Sequence, residues 1–597
     1  MRQGRRLLAW TAALLLAGAG AARAADDLPY KVDITLQGLE DAKLSGALEA
    51  ASQLETLKDK PPASAAALRR RAADDLPRLA QIMHAAGYWT PDLTYKVDLD
   101  QKPAPVTVTI VPGPVFRLAT VVFRTPEGTT PSLLEEKGPA AVGLEINGPA
   151  RSAPVADAEA KIVELYAQNG RPFAKVTDRK AVVDVAKHTM TVTFTVEPGA
   201  TATFGPLTIT GLKRVERAFA AGLVEWKEGR PYDDGAVERT RQALIRTGLF
   251  AEVRITHAER ADAKGEVAMT MALVEGPPRS IGAGVAYNTN LGLGAQAFWE
   301  HRNLFGEGER LRVTAGVAQR QYGLALDFRK PYFLDRDQDL LFDAGLLQQT
   351  TDAYDSRRAQ IFGGVERRLT PTLTLVTGPD LERATVHQNE QGESDENYTL
   401  VGLPVVLRHD TSDDLLNPTR GARQSLSVTP YHAIAGPSLD FVSSRIELRK
   451  YLRLDDKGDY ILAGYGALGS IVGASLQDIP ADKRLYAGGA GSVRGYAYQH
   501  AGPIDASGVP TGGISSVEVG AELRYRLTET IGLVPFVDGG NVYPTSWPNS
   551  TSLFWGAGLG LRYYTVIGPA RLDLATPFTH RPGDKPIEVY ISIGQAF

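Results

Sequence analysis

The chain has 597 residues, room for several domains, with 65 Lys and Arg against 69 Asp and Glu and a formal net charge of −4. That balance excludes the dominant basic face that nucleic-acid binding needs. Cysteine is absent, which excludes disulfide staples and thiol chemistry and leaves stability to cores and strand pairing.

The first segment reads as a targeting signal. Arg2, Arg5 and Arg6 precede an apolar run from Leu7 to Gly20, and Ala22-Arg23-Ala24 supplies the small residues of a cleavage site. This is the pattern of a secretory signal peptide over residues 1–24. The run is shorter than the ~20 residues a spanning helix needs. No later segment holds 18 consecutive apolar residues, so a helical span is not expected further on. A barrel strand needs only ~9–11 residues that are apolar at alternate positions, and it leaves little trace in average hydropathy.

Residues 28–277 carry a weak repeat with a period of about 80 residues, too long for common solenoid units and suited to small tandem domains. Each unit has a helix that ends at a glycine, then a strand pair, then a Pro/Gly stop. The helix ends are Ala86-Gly87-Tyr88-Trp89, Asn169-Gly170-Arg171-Pro172-Phe173 and Thr247-Gly248-Leu249-Phe250. In the second unit Val155, Ala158, Ile162, Leu165 and Tyr166 share one helical face, and Gly170 takes the C′ position where positive φ is cheap. In the third, Asp233 or Asp234 caps a helix whose expected inner face is Val237, Leu244 and Ile245. Val106, Val108 and Ile110 alternate with threonines, as do Val192, Phe194 and Val196. Each unit therefore reads as a small α+β domain with helices on one sheet face.

From Ser280 onward, runs rich in Gly, Tyr, Leu and Val alternate with polar turns. Tyr322, Leu324, Leu326 and Phe328 oppose Gln321, Gly323, Ala325 and Asp327. Val517, Val519, Ala521, Leu523 and Tyr525 oppose Glu518, Gly520, Glu522, Arg524 and Arg526. Periodicity alone does not separate a soluble sandwich from a barrel in lipid. The length of the region, the export signal and a final strand ending in Phe597 favour an antiparallel transmembrane β-barrel of about 16 strands, an even number such barrels use.

Several segments together carry a family resemblance. Leu485-Tyr486-Ala487-Gly488-Gly489-Ala490-Gly491-Ser492-Val493-Arg494-Gly495-Tyr496 resembles the loop-six segment of the Omp85 superfamily. Phe536-Val537-Asp538-Gly539-Gly540-Asn541 resembles its FxDxG strand, and Glu522-Leu523-Arg524 the strand between them. The resemblance covers essentially the whole mature chain. It implies three POTRA domains at 25–113, 114–199 and 200–277, followed by a barrel at 278–597. It also implies residence in the outer membrane of a Gram-negative bacterium, with the POTRA domains in the periplasm.

By strand alternation Phe536, Asp538 and Gly540 share a lumenal face, as does Glu522 on the preceding strand. A charge in a narrow lumen needs a partner, and Arg494 can supply a planar fork to two carboxylate oxygens if its loop folds inward. Gly495 and Tyr496 complete this expected lock. The resemblance further implies a weak lateral seam, Ile281 to Tyr287 against Val589 to Phe597. Gly282 and Gly284 would weaken the first strand, and Gly594 could kink the last. Equally, these glycines could simply relieve crowding in a curved sheet.

Three POTRA-like units in about 600 residues resemble the TamA-type branch, the outer-membrane part of the translocation and assembly module. That branch implies insertion of outer-membrane proteins, including autotransporters, from unfolded clients into the lipid bilayer. It also implies a TamB-like, inner-membrane-anchored partner docking on the first POTRA domain. The alternative is a passive or two-partner-secretion-type pore with a POTRA docking stalk. No enzyme activity and no cofactor are expected. The nine histidines show no ligand spacing, and Gly488-Gly489-Ala490-Gly491 lacks the following helix a phosphate loop wants.

Overall fold

A computed structural model describes residues 28–389, 395–549, 552–565 and 568–597. The expected signal peptide at 1–24 lies outside the described residues. The chain divides into two compact units, and the division runs through the third α+β domain. Residues 28–208, with 224–240 and 255–271, form the first; 209–223, 241–254 and the described residues from 272 to 597 form the second.

Three sheets of three strands come first, each with its own last strand in the centre. In the first domain Ala104–Val111 runs parallel to Tyr30–Leu36 and antiparallel to Asp92–Val97. Val106, Val108 and Ile110 point into the core beneath the helix Ala65–Ala86, while Thr107 and Thr109 point away. That helix starts where the Ser64 hydroxyl accepts the Ala67 N–H and stops at Gly87, whose φ of 101° closes it. The second domain repeats the plan. Val155, Ala158, Ile162 and Tyr166 of the helix Ser152–Gln168 are buried against Val192, Phe194 and Val196. In the third, the helix Asp234–Arg246 differs from expectation. Its buried positions are Ala236, Thr240, Ala243 and Leu244, and Ile245 is exposed. Small residues allow close approach, and the Thr240 hydroxyl donates to the Ala236 carbonyl at 2.9 Å. A polar residue is thereby buried without an open hydrogen-bond demand.

The barrel region forms one antiparallel sheet of 18 segments. In chain order we label them β1 (Arg279–Asn288), β2 (Gly292–His301), β3 (Arg310–Ala318), β4 (Gln321–Lys330), β5 (Gln338–Thr350), β6 (Tyr354–Thr370), β7 (Leu373–Thr377 and Asp380–Gln388), β8 (Glu396–Gly402 and Val405–Asp410), β9 (Gly421–Ala435), β10 (Asp440–Arg453), β11 (Tyr460–Val472), β12 (Ser515–Arg526), β13 (Ile531–Tyr543), β14 (Phe554–Thr565), β15 (Gly568–Pro577) and β16 (Glu588–Ile593). Two strands are each broken at a proline, Pro379 in β7 and Pro404 in β8, because proline has no N–H for the ladder. Their halves share the same neighbours, β6 pairing with both halves of β7 and β9 with both halves of β8. The 18 segments are thus sixteen crossings.

The two faces of this sheet settle what alternation left open. The outer face is apolar and exposed, with Ile281 and Val285 both at 81% and Leu346 at 58%. The inner face buries Glu522, Arg524, Asp538, Arg562 and Asp573. A water-soluble protein does the reverse, and a barrel in lipid does this. No helix among the described residues is long and apolar enough to cross a membrane.

One carboxylate fastens the chain just before the barrel. Glu275 Oε1 accepts the backbone N–H groups of Lys213, Arg214 and Val215 at 2.7, 2.8 and 2.9 Å. The same loop is held by the β2–β3 turn, where Asn303 Nδ2 donates to the Arg214 carbonyl at 3.1 Å and Glu216 N–H to the Gly306 carbonyl at 2.9 Å. Burial alone would raise the Glu275 pKa. The three backbone donors and the Arg214 cation outweigh it and hold the carboxyl below the usual glutamate value. A depressed folded-state pKa means the stabilisation is full above the unfolded value and is lost as pH falls through the folded one. Amide protection at Lys213–Val215, corrected for intrinsic exchange, should therefore fall across the acid range in the wild type. In Glu275→Gln it should already be weaker at neutral pH and show no such step. A wild-type profile parallel to that of the variant would contradict the clamp.

Candidate functional site

The segment between β11 and β12, residues 473–514, folds back into the barrel. It is held at two places. Nearer its start, Lys483 pairs with Glu382 of β7 at 2.6 Å, and the Tyr398 hydroxyl of β8 lies 2.8 Å from Asp482 and 3.0 Å from Glu382. Ile479 and Ala481 pack there against Tyr354, Val386, Leu400 and Phe441.

The second place is the lock built on Arg494. Its Nε and Nη2 donate to Asp538 at 2.6 and 3.0 Å, and Nη1 reaches Glu522 at 2.7 Å and Asp573 at 2.9 Å. Its backbone N–H also donates to Asp538, at 3.2 Å. The guanidinium lies 3.5 Å from the centre of the Phe536 ring, adding a cation–π contact. Arg494, Glu522, Asp538 and Asp573 are each 1% exposed or less. Glu522 is shared with Arg524 at 3.1 Å, and Asp573 also binds Arg562 and lies 3.5 Å from Arg571. Charges this deep are tolerable only when paired, and here each carboxylate meets at least one guanidinium.

Backbone geometry makes room for this. Gly495 has φ of 105°, and a Cβ there would stand 3.0 Å from the Thr576 carbonyl. At Gly540 a Cβ would meet Val493 at 2.7 Å. Gly556 and Gly558 of β14 are lumenal, and side chains there would collide with the Arg494 carbonyl and the Phe536 ring. Tyr496 is buried, its hydroxyl 3.1 Å from the Thr579 carbonyl. The loop also touches the last strand, since Gly495 N–H donates to the Tyr590 hydroxyl at 3.0 Å and that hydroxyl donates to the Tyr496 carbonyl at 2.7 Å.

Arg494, Gly495, Tyr496, Glu522, Phe536, Asp538 and Gly540 thus come together. Sequence reasoning missed Asp573, Arg562 and Tyr590 as members. The signal was present in strand alternation, since Arg571 and Asp573 flank an outward Leu572, and Arg562 alternates with Leu561.

The seam residues are placed differently. β1 pairs with β2 along ten residues, so Gly282 and Gly284 do not fray that side. A Cβ at Gly282 would strike the Phe298 ring, which supports relief of crowding, whereas Gly284 faces open space. Between β1 and β16 there is no ladder among the described residues. Just past the end of β1, Ile591 N–H donates to Thr289 Oγ1 at 3.2 Å. Ile591 therefore stands beside Thr289, above the expected Ile281–Tyr287 stretch. The reason is that β16 ends at Ile593 and Gly594, with φ of 95°, turns the chain away. Phe597 does not lie in the seam. It stacks on Tyr465 of β11 with centroids 5.4 Å apart, and its carbonyl oxygen accepts from Arg524 at 2.8 Å. Gln595 bridges Arg562 and Asn417 at 2.9 and 2.8 Å.

Comparisons with known proteins agree with this architecture. Residues 303–597 match the Omp85 superfamily domain, and residues 202–276 match POTRA, the surface antigen variable number repeat. The chain is 24% identical over 453 residues to the outer membrane protein assembly factor BamA of Nitratidesulfovibrio vulgaris, covering 73% of this chain and 56% of that protein. It is 24% identical over 476 residues to the protein of the same name from Neisseria meningitidis serogroup B, covering 68% and 58%. It spans little more than half the length of these curated relatives, which carry the BamA name and not that of the TamA-type branch. The crystal structure of BamA from Haemophilus ducreyi lacking POTRA domains 1-3 shares the fold, with TM-score 0.67 at 18% identity over 80% of this chain and 99% of that one.

Arg494→Ala should leave three carboxylates without their common cation, and breaking a buried pair in this way costs ~3–5 kcal/mol, less where water fills the gap. Arg494→Lys should rescue little, because a point charge does not span Asp538, Glu522 and Asp573 together. The readout is heat-resistant mobility of the folded barrel on a gel. Unchanged mobility in both variants would contradict the lock.

Proposed function

We propose, for a chain that belongs to the Omp85 superfamily and resides in the outer membrane with POTRA domains in the periplasm, that it inserts β-barrel proteins into that membrane through the seam between β1 and β16. The observation that carries this reading is the missing ladder. β1 is fully paired with β2 on one side and has no strand partner on the other among the described residues, so its outer edge offers N–H and C=O groups in a row. An incoming client strand can pair there by β-augmentation, and such pairing needs no cofactor. Lipid supplies no hydrogen bonds to an open edge, so an edge facing it favours any strand that completes the sheet.

The lock and the seam work together in this reading. Arg494 fixes the inward loop to β12, β13 and β15, and Tyr590 holds the upper part of β16 to the same loop. The wall beside the seam is thereby held from the lumen, while its outer edge stays free for the client. The relatives' description as outer membrane protein assembly factors supports this reaction class. The finer assignment is a TamA-type subunit serving autotransporters, with a TamB-like partner on the first POTRA domain. Its support is the resemblance of Val493-Arg494-Gly495-Tyr496 and of Tyr590-Ile591-Ser592-Ile593-Gly594-Gln595-Ala596-Phe597.

A disulfide across the seam tests this in a chain without native thiols. Thr289→Cys with Ile591→Cys places the two sulfurs on residues already joined by the 3.2 Å hydrogen bond. In liposomes, the oxidised protein should fail to accelerate folding of an unfolded barrel client, and reduction should restore it. Full activity of quantitatively crosslinked protein would remove the seam mechanism and favour the pore reading.

A further inference from the structure

The outer face of β6 and β7 holds two arginines that no carboxylate of the described chain neutralises. Cross-strand register places Tyr322, Gln348, Arg357, Thr385 and Asn397 in one row across β4 to β8. The next row toward the periplasm is Leu324, Leu346, Ala359, Arg383 and Thr399. Below that the row is wholly apolar: Leu326, Ala344, Ile361, Leu381 and Val401. Exposed Leu324, Leu346, Ile361 and Leu381 show that this is the lipid side.

The level follows from topology. β1 enters from the periplasmic domains, so odd strands run outward and the ends of β5 and β7 near Thr350 and Gln388 are extracellular. The polar rows therefore lie at the extracellular border of the apolar band. An outward arginine is costly at the bilayer midplane and cheap at such a border. Arg357 and Arg383 are both exposed, and neither makes an ion pair among the described residues. Asp355, two residues from Arg357 on the same face, does not reach it, and Asp395 is engaged with His387 at 2.9 Å. Thr385 Oγ1 donates to Asn397 Oδ1 at 2.7 Å, which orders the polar row. Over these strands lies an open hollow of about 420 Å³, lined by Tyr322, Leu324, Leu346, Gln348, Arg357 and Arg383.

We propose that this hollow docks a phosphorylated glycolipid of the extracellular leaflet. Guanidinium forks match phosphate oxygens in pairs, and Arg357 and Arg383 sit one row apart, suited to phosphate on a sugar headgroup. Gln348, Thr385, Asn397 and Thr399 supply donors and acceptors for sugar hydroxyls. Acyl chains follow Leu324, Leu346, Ile361 and Leu381 down the apolar rows. Phospholipids of the periplasmic leaflet end at the opposite border and do not reach these arginines. The wall from β4 to β8 is then the side of the barrel gripped by ordered lipid.

The test titrates bisphosphorylated lipid A onto the full chain, purified in detergent and stripped of lipid, with bound lipid counted by native mass spectrometry. Wild-type protein should bind it. Arg357→Ala with Arg383→Ala should bind about tenfold more weakly, the scale of losing charge-assisted hydrogen bonds. Dephosphorylated lipid A should bind the wild type with a similar deficit, an arm that does not depend on the variant folding. Phosphatidylglycerol binding should not change with the substitutions. Equal lipid A binding by variant and wild type, equal binding of the dephosphorylated lipid, or a matching loss for phosphatidylglycerol would each overturn the proposal.

Discussion

A guanidinium withdrawn from water inside a barrel has to find its counter-charges on the wall, and Arg494 finds three of them, on β12, β13 and β15. Much of the nearby structure follows from that requirement. The loop must reach deep, so Gly495 takes a left-handed backbone against Thr576, and β14 carries glycine at lumenal positions 556 and 558 to let the loop and Phe536 approach. The carboxylates must be lumenal, so strand register across β12 to β15 is fixed, because a one-residue slip would turn Asp538 or Asp573 into lipid.

The same arrangement explains how a barrel tolerates an incomplete edge. Closure in lipid normally demands a continuous ladder. Here β16 is only six residues long, Gly594 diverts the chain, and the last residues spend their contacts on Arg562, Asn417, Arg524 and Tyr465 inside the lumen. The wall next to the seam is held by buried side chains and by the Tyr590 phenol, so it does not depend on pairing with β1.

Much of this was legible in the sequence, for physical reasons that also mark the limits. Alternation over 517–527 and 533–540 assigned Glu522 and Asp538 to the lumen, because strand side chains have a strict period of two. The motif around Arg494 supplied the cation. Periodicity does not say which lumenal charges meet across several strands, so Asp573 and Arg562 stayed unassigned, and Tyr590 looked like one more alternating residue. Alternation puts Phe597 in the seam only if the final strand runs straight, and a positive φ at Gly594 is not readable from glycine alone. In the third α+β domain, helical periodicity puts Ile245 on the core face with Leu244. Ala236, Thr240 and Ala243 took that face because small side chains pack more closely there.

The central claim is that β1 carries a free edge in the closed, client-free protein. Residue-resolved amide hydrogen exchange in lipid nanodiscs tests it most directly. Along β1 from Ile281 to Tyr287, alternate amides should exchange much faster than their neighbours, since one set bonds β2 and the other faces the seam. Amides of β12 and β13 should be protected throughout. Uniform protection along β1, equal to that of β12, would show that the seam is a paired ladder and would contradict the account.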